Sequence, residues 1–159
     1  MRRSSAIVVC AAALLAGCSS KLDVADTEQA ITASVARRFG VTVRAVDCPA
    51  EVRAKAGATF RCTVRAADGS SGVAVVTQED DRGHVRARTP FLDIRGIERD
   101  LSRGLEEQSG ARRVRVSCPD IVRVDAGESF RCRARTGGRR TRLKVVQGAD
   151  GRVRLQSRF

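Results

Sequence analysis

The chain has 159 residues, a formal net charge of +12 and 42% hydrophobic residues, enough for one ordinary domain or two small ones. That hydrophobic fraction argues against a wholly disordered chain, although 30% of the residues are charged. One His, with no Trp or Tyr, excludes a site with two His ligands and makes any His-dependent catalysis rely on His84 alone.

The first seventeen residues have the parts of a secretory signal peptide. Arg2 and Arg3 form a positively charged start, and residues 6–16 form an apolar run. That run is too short to cross the roughly 30 Å hydrocarbon core of a bilayer as a helix. It is typical of the apolar region of a signal peptide, and no later stretch is apolar enough to span a membrane.

The end of this segment, Leu15-Ala16-Gly17-Cys18, resembles the lipobox of bacterial lipoproteins. The resemblance implies cleavage before Cys18 and a diacylglyceryl group, with its two acyl chains, on the Cys18 thiol, and it allows a further acyl chain such as palmitate on the new amine. Two acyl chains are sufficient for stable anchoring. We therefore predict a signal peptide over residues 1–17, a lipidated tether over 18–25, and an exported protein anchored to the extracytoplasmic face of the cell membrane.

A helix is predicted directly after the tether. Asp26 is its predicted N-cap, with Gln29 three residues later as in a capping box. Gly40 is the predicted stop. The apolar face repeats at helical spacing and consists of Ile31, Val35 and Phe39.

Short strand-like runs follow this helix. Asp68-Gly69 and residues 80–83 are typical of hairpin turns. The predicted strands cover residues 41–46, 51–54, 59–66, 73–78 and 84–88. A helix followed by an antiparallel meander is typical of a small α+β domain with the helix on one sheet face.

The same organisation is repeated seventy residues later. Residues 46–64 and 116–134 share ten identities in nineteen ungapped positions, and Val75-Val76 and Val145-Val146 keep the same offset. The second helix has Asp93 as its predicted N-cap, Gly110 as its stop, and an apolar face of Ile94, Ile97, Leu101 and Leu105. We predict an α+β protein of two tandem modules over 26–88 and 91–159, each an N-terminal helix packed on an antiparallel β-meander.

Besides Cys10 and Cys18, the chain has four Cys in two equally spaced pairs: Cys48 with Cys62, and Cys118 with Cys132. A structural disulfide within each module is favoured, because small exported domains commonly need one. Each bond would close a loop of about 15 residues, worth roughly 3 kcal/mol. A zinc site and a redox-active dithiol stay open as alternatives, although both typically use closely spaced Cys.

The residues around these Cys resemble the domain of unknown function 4333 family. The matching runs are Val46-x-Cys48-Pro49 with Gly57-x-x-Phe60-x-Cys62-x-Val64, and Cys118-Pro119, Gly127, Phe130 and Cys132. The resemblance implies an envelope protein of actinobacterial type, with two paired Cys per domain and no established reaction. The tandem arrangement departs from the usual single copy, and Ala134 stands where the first copy has Val64.

The second module carries most of the positive charge. Residues 18–90 contain 11 basic and 9 acidic residues, whereas residues 91–159 contain 17 basic and 9 acidic. Strand alternation predicts a densely cationic sheet face formed by Arg131, Arg133, Arg135, Arg142, Lys144, Arg152 and Arg154. Such a face could contact anionic lipid or an envelope polyanion. A merely solvated face is the alternative, and nucleic acid is not expected, because no aromatic residues are interleaved for base stacking.

No catalytic residue, metal ligand or cofactor is predicted. His84 is interpreted as an exposed turn residue, although Asp80 and Asp81 are close enough in sequence to be partners. Residues 79–81 lack the alternating spacing of a calcium loop, and no common catalytic or nucleotide-binding motif occurs. We predict a non-catalytic binding or structural protein. The alternative is a protein-binding accessory or inhibitor module for an envelope enzyme.

Overall fold

The computed structural model describes residues 21–156, and the predicted signal peptide and Cys18 lie outside that range. The described residues form two helices and eight strands, in the order α1 (Val24–Phe39), β1 (Val43–Asp47), β2 (Thr59–Ala66), β3 (Ser71–Gln78), β4 (Val85–Arg88), α2 (Ile94–Ser109), β5 (Arg115–Ser117), β6 (Ser129–Thr136), β7 (Arg139–Gln147) and β8 (Val153–Leu155). Two antiparallel sheets result, with strand orders β1-β2-β3-β4 and β5-β6-β7-β8. The predicted tandem α+β architecture is confirmed.

The first helix begins earlier than predicted. Its N-cap is Asp23, whose carboxylate accepts a hydrogen bond from the Asp26 backbone N–H at 3.2 Å. The prediction of Asp26 as the cap is wrong, because Asp26 already lies inside the first turn. An acidic residue there interacts favourably with the helix dipole.

The second helix matches its predicted ends. Asp93 caps it and accepts a hydrogen bond from the Gly96 N–H at 3.1 Å. Both helices stop at a glycine in the left-handed region, Gly40 with φ 65° and Gly110 with φ 66°. A residue with a Cβ would be strained there, so the glycine stops follow from backbone sterics.

The segment predicted as a lipidated tether, residues 18–25, partly belongs to the first module. Leu22 is buried, and its N–H donates to the Val52 carbonyl at 2.9 Å. Lys21 forms an isolated antiparallel bridge with Arg53. The module therefore starts before the predicted boundary at residue 26, and the predicted strand over 51–54 is reduced to that single bridge.

Each module has its core between the helix and one face of its sheet. In the first, the predicted apolar face of α1 is buried against inward residues of β2 and β3: Ile31, Val35, Phe39, Cys62, Val64, Ala74 and Val76. In the second, Ile97 is only partly buried, and the central residues are Leu101, Leu105, Val116, Cys132, Ala134, Leu143 and Val145. The outward faces of both sheets are left to solvent.

The repeat loses one residue at its central hairpin. Cys62 pairs with Ala74, whereas Cys132 pairs with Leu143, so the equivalent positions on β3 and β7 are 69 residues apart. The seventy-residue offset read from Val75-Val76 and Val145-Val146 is wrong there, because the β6–β7 turn is one residue shorter than the β2–β3 turn. The buried Val76 therefore corresponds to the buried Val145.

Two polar contacts recur in both modules and were not predicted. A helix carboxylate accepts from a Cys backbone N–H, Glu28 from Cys48 at 2.8 Å and Glu98 from Cys118 at 2.7 Å. A buried amide at the end of the third strand, Gln78 or Gln147, bonds both a backbone N–H and a carbonyl of the loop before the second strand. Buried side-chain polar groups in proteins are generally satisfied in this way.

The two modules are packed against each other. Phe91, at the entry to the second module, lies in the first module's core with its ring centroid 5.7 Å from that of Phe39. Ile121 is buried in the same core, and its N–H donates to the Ser70 hydroxyl at 2.9 Å. A Cβ at Gly72 would lie 2.4 Å from the Phe91 ring, so glycine permits this close approach.

Candidate anion-binding face

The outward surface of the second sheet, β5–β8, is called the basic face below. Three pairs of basic residues face each other across its two central strands, and each pair is called a rung. Arg131 lies opposite Lys144, Arg133 opposite Arg142, and Arg135 opposite Arg140. All six of these side chains are exposed, whereas the residues between them on β6 and β7 are mostly buried. The structure therefore points Arg131, Arg133, Arg135, Arg142 and Lys144 outward, as the alternation predicted.

Two further arginines belong to this surface and were missed. Arg140 completes the third rung, and Arg115 on β5 lies opposite Arg135. Strand alternation carried the necessary signal, because Arg140 lies two residues before the outward Arg142 on β7, and Arg115 lies next to the inward Val116 on β5.

The last two predicted residues lie at the margin of the face. Arg154 is on β8 and forms an ion pair with Asp150 at 3.8 Å. Arg152 lies before β8, in the turn where its backbone N–H donates to the Asp150 carboxylate at 3.1 Å. The β7–β8 turn thus supplies a carboxylate to this edge of the basic face.

Between Lys21 and Gln156, no carboxylate lies within 4.0 Å of the guanidinium groups on the three central rungs, those of Arg131, Arg133, Arg135, Arg140 and Arg142. Like charges directly opposite each other on a sheet are destabilising. A bound anion would offset that repulsion, and guanidinium suits phosphate because its N–H groups form a planar fork.

The first module shows that the fold does not require this charge. At the positions equivalent to Arg133, Arg142 and Lys144 it carries Thr63, Val73 and Val75. Arg65, the equivalent of Arg135, forms an ion pair with Asp47. A chain-wide preference for Arg would act on both modules, so the difference points to a feature of the second sheet itself.

A cleft of about 470 Å³ lies where the β2–β3 turn of the first module meets the basic face. Arg131, Arg133 and Arg142 line one side. Ser117 belongs to the same sheet, where it lies opposite Arg133, and further lining comes from the β2–β3 turn and the loop after β5, through Asp68, Ser70 and Asp120. The cleft therefore exists only because the two modules are packed together.

The two carboxylates of the cleft have different surroundings. Burial raises the pKa of Asp68, but hydrogen bonds from the Ser70 hydroxyl and from the Asp120 and Ser70 N–H groups outweigh it and lower that pKa below 3.8. Burial and the charge of Asp68 raise the pKa of Asp120, against a smaller opposing effect of Arg95. Within the described chain, the Asp120 carboxylate accepts no hydrogen bond.

His84 belongs to the first module and is not among the residues of the basic face. It is exposed in the β3–β4 turn, where its ring and its backbone N–H both contact the Asp80 carboxylate. This fits the interpretation as a turn residue. Over residues 21–156, no group of three or more His, Cys, Asp and Glu residues is arranged to hold a metal ion.

The Cys pairing is the one that the repeat predicted. Cys48 is bonded to Cys62, and Cys118 to Cys132. Disulfides of this kind are typical of proteins in oxidising, extracytoplasmic surroundings. Neither α1 nor α2, the helices of the described part, is long and apolar enough to cross a membrane.

Fold and disulfides together define a class: extracytoplasmic proteins built from small helix-on-sheet modules, each closed by one disulfide. Within that class the chain belongs to the family described as Domain of unknown function (DUF4333), whose family model matches residues 6–83 and 85–151. One match falls on each module, which confirms the resemblance seen around the Cys. No curated protein and no solved structure matches the chain.

Proposed function

We propose that this is a lipid-anchored, non-catalytic envelope protein whose basic face binds the anionic phospholipid surface of the membrane that carries it. The observation behind the proposal is the set of three cationic rungs across β6 and β7, with no carboxylate of the described chain beside their guanidinium groups. Each basic residue near an anionic bilayer contributes up to about 1 kcal/mol of attraction, screened within a Debye length of about 10 Å.

The proposed anchor favours this partner over a distant one. Cys18 is three residues before Lys21, the first described residue, and three residues span at most about 11 Å. A lipid on Cys18 would therefore hold the first module close to the headgroups. This tethering raises the effective concentration of the basic face at the bilayer, so a weak surface interaction becomes sufficient.

Co-sedimentation with vesicles tests the proposal. The chain from Ser19 to Phe159 contains both modules and lacks the proposed lipid, so its binding reports the protein surface alone. It should bind phosphatidylcholine vesicles doped with phosphatidylglycerol at low salt, and lose binding as salt is raised. Replacing Arg131, Arg133 and Arg135 by Glu should reduce the partition coefficient by at least about tenfold, because a tenfold change corresponds to about 1.4 kcal/mol and the attraction lost is about 1 kcal/mol for each of the three arginines.

A matched variant with Arg37, Arg44 and Arg61 replaced by Glu controls for net charge. These three arginines are exposed on the first module, so the chain loses the same charge elsewhere. The proposal requires this variant to retain most of its binding. Equal losses in the two variants, or no vesicle binding at low salt, would overturn it. Binding of an envelope protein that withstands high salt would instead favour the accessory or inhibitor role.

A further inference from the structure

The cleft between the modules has the shape of a ligand site rather than of a flat contact surface. Its volume of about 470 Å³ lies within the usual range for small-molecule pockets of roughly 300–1,000 Å³, which occur preferentially at domain interfaces. Its lining includes three guanidinium groups, two carboxylates and two serine hydroxyls. The cleft therefore presents hydrogen-bond donors for an anion and acceptors for a neutral polar group at the same time.

We propose that this cleft binds a phosphorylated polyol, with the phosphoryl oxygens on Arg133 and Arg142 and a neighbouring hydroxyl donating to Asp120. The inference rests on the proposed function in one respect, because it uses the same basic face. It goes further because it names the class of ligand, a phosphorylated polyol, and the residue that recognises its hydroxyl, Asp120.

The arginine side follows from the sheet register. Arg133 and Arg142 lie directly opposite each other on adjacent strands, with Arg131 next along β6. Two guanidinium groups held side by side can share the oxygens of one phosphoryl group, and each such charge-assisted hydrogen bond is stronger than a neutral one. The like-charge repulsion of the empty pair is relieved at the same time.

The Asp120 carboxylate is the proposed hydrogen-bond acceptor for the hydroxyl of the ligand. It is half-buried, and its carboxylate accepts no hydrogen bond from residues 21–156, although its backbone N–H is held by Asp68 at 3.0 Å. An ionised carboxylate offers only acceptors, so it repels a bare phosphate and accepts from a hydroxyl. Asp120 lines the same cleft as Arg133 and Arg142, so a ligand carrying both a phosphoryl group and a hydroxyl can contact all three residues.

The first module lacks the same combination. Its equivalents of Arg133, Arg142 and Asp120 are Thr63, Val73 and Ala50. Part of the lining also comes from the first module's β2–β3 turn, through Asp68 and Ser70. The site thus depends on the pairing of two different modules.

Titration of the Ser19–Phe159 chain with two small anions tests the inference. Glycerol 3-phosphate carries the phosphoryl group and hydroxyls, and methyl phosphate carries the phosphoryl group alone. Amide chemical shifts at Asp120, Ile121 and Arg133 should respond to both, with glycerol 3-phosphate binding at least about fivefold more tightly, the effect of one hydrogen bond of about 1 kcal/mol. Equal affinities, or shifts confined to other residues, would overturn the inference.

Asp120→Asn should abolish the preference and leave methyl phosphate binding unchanged or tighter, whereas Asp100→Asn, an equal charge change on the exposed side of α2, should preserve it. Retention of the preference in Asp120→Asn would also contradict the inference. Because the Asp120 carboxylate accepts no hydrogen bond from residues 21–156, the isosteric amide should leave the fold intact.

Vesicle arms identify the source of the ligand. Phosphatidylglycerol and phosphatidylserine carry the same charge, but only phosphatidylglycerol has a glycerol headgroup. A preference for phosphatidylglycerol that Asp120→Asn removes supports a lipid headgroup in the cleft. Equal binding of both lipids, together with the glycerol 3-phosphate preference, supports a soluble phosphorylated polyol. Absence of vesicle binding with that preference intact would overturn the proposed membrane contact and leave the cleft site standing.

Discussion

At the scale of single residues, the Asp80–His84 pair illustrates how a turn sets the protonation of its own side chains. The Asp80 carboxylate accepts from the His84 ring and from the backbone N–H groups of His84 and Arg82. The hydrogen bond from His84 is the largest of the effects that lower the pKa of Asp80 to about 2. The same bond and the carboxylate charge raise the pKa of His84 above 6.5.

This pair predicts a defined pH dependence for the turn. The stabilisation linked to His84 is complete below pH 6.5 and is lost as pH rises through its raised pKa. The stabilisation linked to Asp80 is complete above pH 3.8 and is lost as pH falls towards 2. The turn should therefore be most ordered between pH 3.8 and pH 6.5.

An NMR titration of the imidazole checks this directly, because the chain has one His. Asp80→Asn should move the pKa of His84 down towards 6.5, since the amide removes the negative charge. Asp81→Asn serves as the comparison and should have the smaller effect, because the ring bonds to Asp80. An unchanged His84 pKa in Asp80→Asn would contradict the prediction.

At the scale of elements, each disulfide joins the segment after the first strand to the middle of the second. Cys62 and Cys132 are buried in their cores. The partner cysteines, Cys48 and Cys118, are additionally held by a helix carboxylate through their backbone N–H. Helix, first strand and second strand are thereby joined at one point in each module.

Removal of either disulfide should have a similar cost. Both pairs are separated by 14 residues, and a closed loop of about 15 residues stabilises by roughly 3 kcal/mol. Cys48→Ala with Cys62→Ala, and separately Cys118→Ala with Cys132→Ala, should each lower the free energy of unfolding by about that amount. Urea denaturation measures it, and an unchanged midpoint in either double variant would contradict a structural role for that bond.

At the scale of the whole molecule, the modules behave as one packed unit because the second module inserts apolar groups into the first core. Phe91 and Ile121 fill the space beside Gly72. The equivalent positions in the first module are Lys21 and Glu51, which form an exposed ion pair at 3.0 Å. The first module thus has exposed charged residues at the positions where the second module has buried apolar residues. Only the second module can therefore insert apolar side chains of this kind into a neighbouring core.

Phe91→Ala should uncouple the modules. Removing a buried Phe costs about 3–5 kcal/mol, and here that loss falls on the contact between the cores. Hydrogen exchange should accelerate at the Ile121 amide, which donates across the contact to Ser70, far more than at the Val116 amide, which donates to Ser102 within the second module. Equal acceleration at both amides would indicate global destabilisation instead and contradict a separable contact.

The proposed ligand site in the cleft depends on the packing of the two modules against each other. Asp68 and Ser70 of the first module hold the backbone of Asp120 and Ile121 in the second, at separations of more than fifty residues along the chain. Uncoupling by Phe91→Ala would therefore remove one wall of the cleft while the arginine rungs stay on their strands.

The sequence by itself determined the features that depend on neighbouring residues. Strand alternation places the arginines of β6 and β7 outward because successive side chains point to opposite faces. The equal spacing of the Cys predicted both disulfides, and glycines marked both helix ends. Periodicity could not choose between Asp23 and Asp26 as the N-cap of α1, because both are good capping residues. In the structure α1 begins after Asp23, and the preceding Leu22 is buried in the first module.

Only the tertiary structure decided what distant residues do together. Three features join segments far apart in sequence: the insertion of Phe91 and Ile121 into the first core, the side-chain hydrogen bonds of Gln78 and Gln147, and the presence of Asp120 and Arg133 in one cleft. Periodicity reports which face a residue occupies, not which surface that face meets. The basic face was therefore predictable from the sequence, whereas the cleft at its edge follows from the packing of two modules.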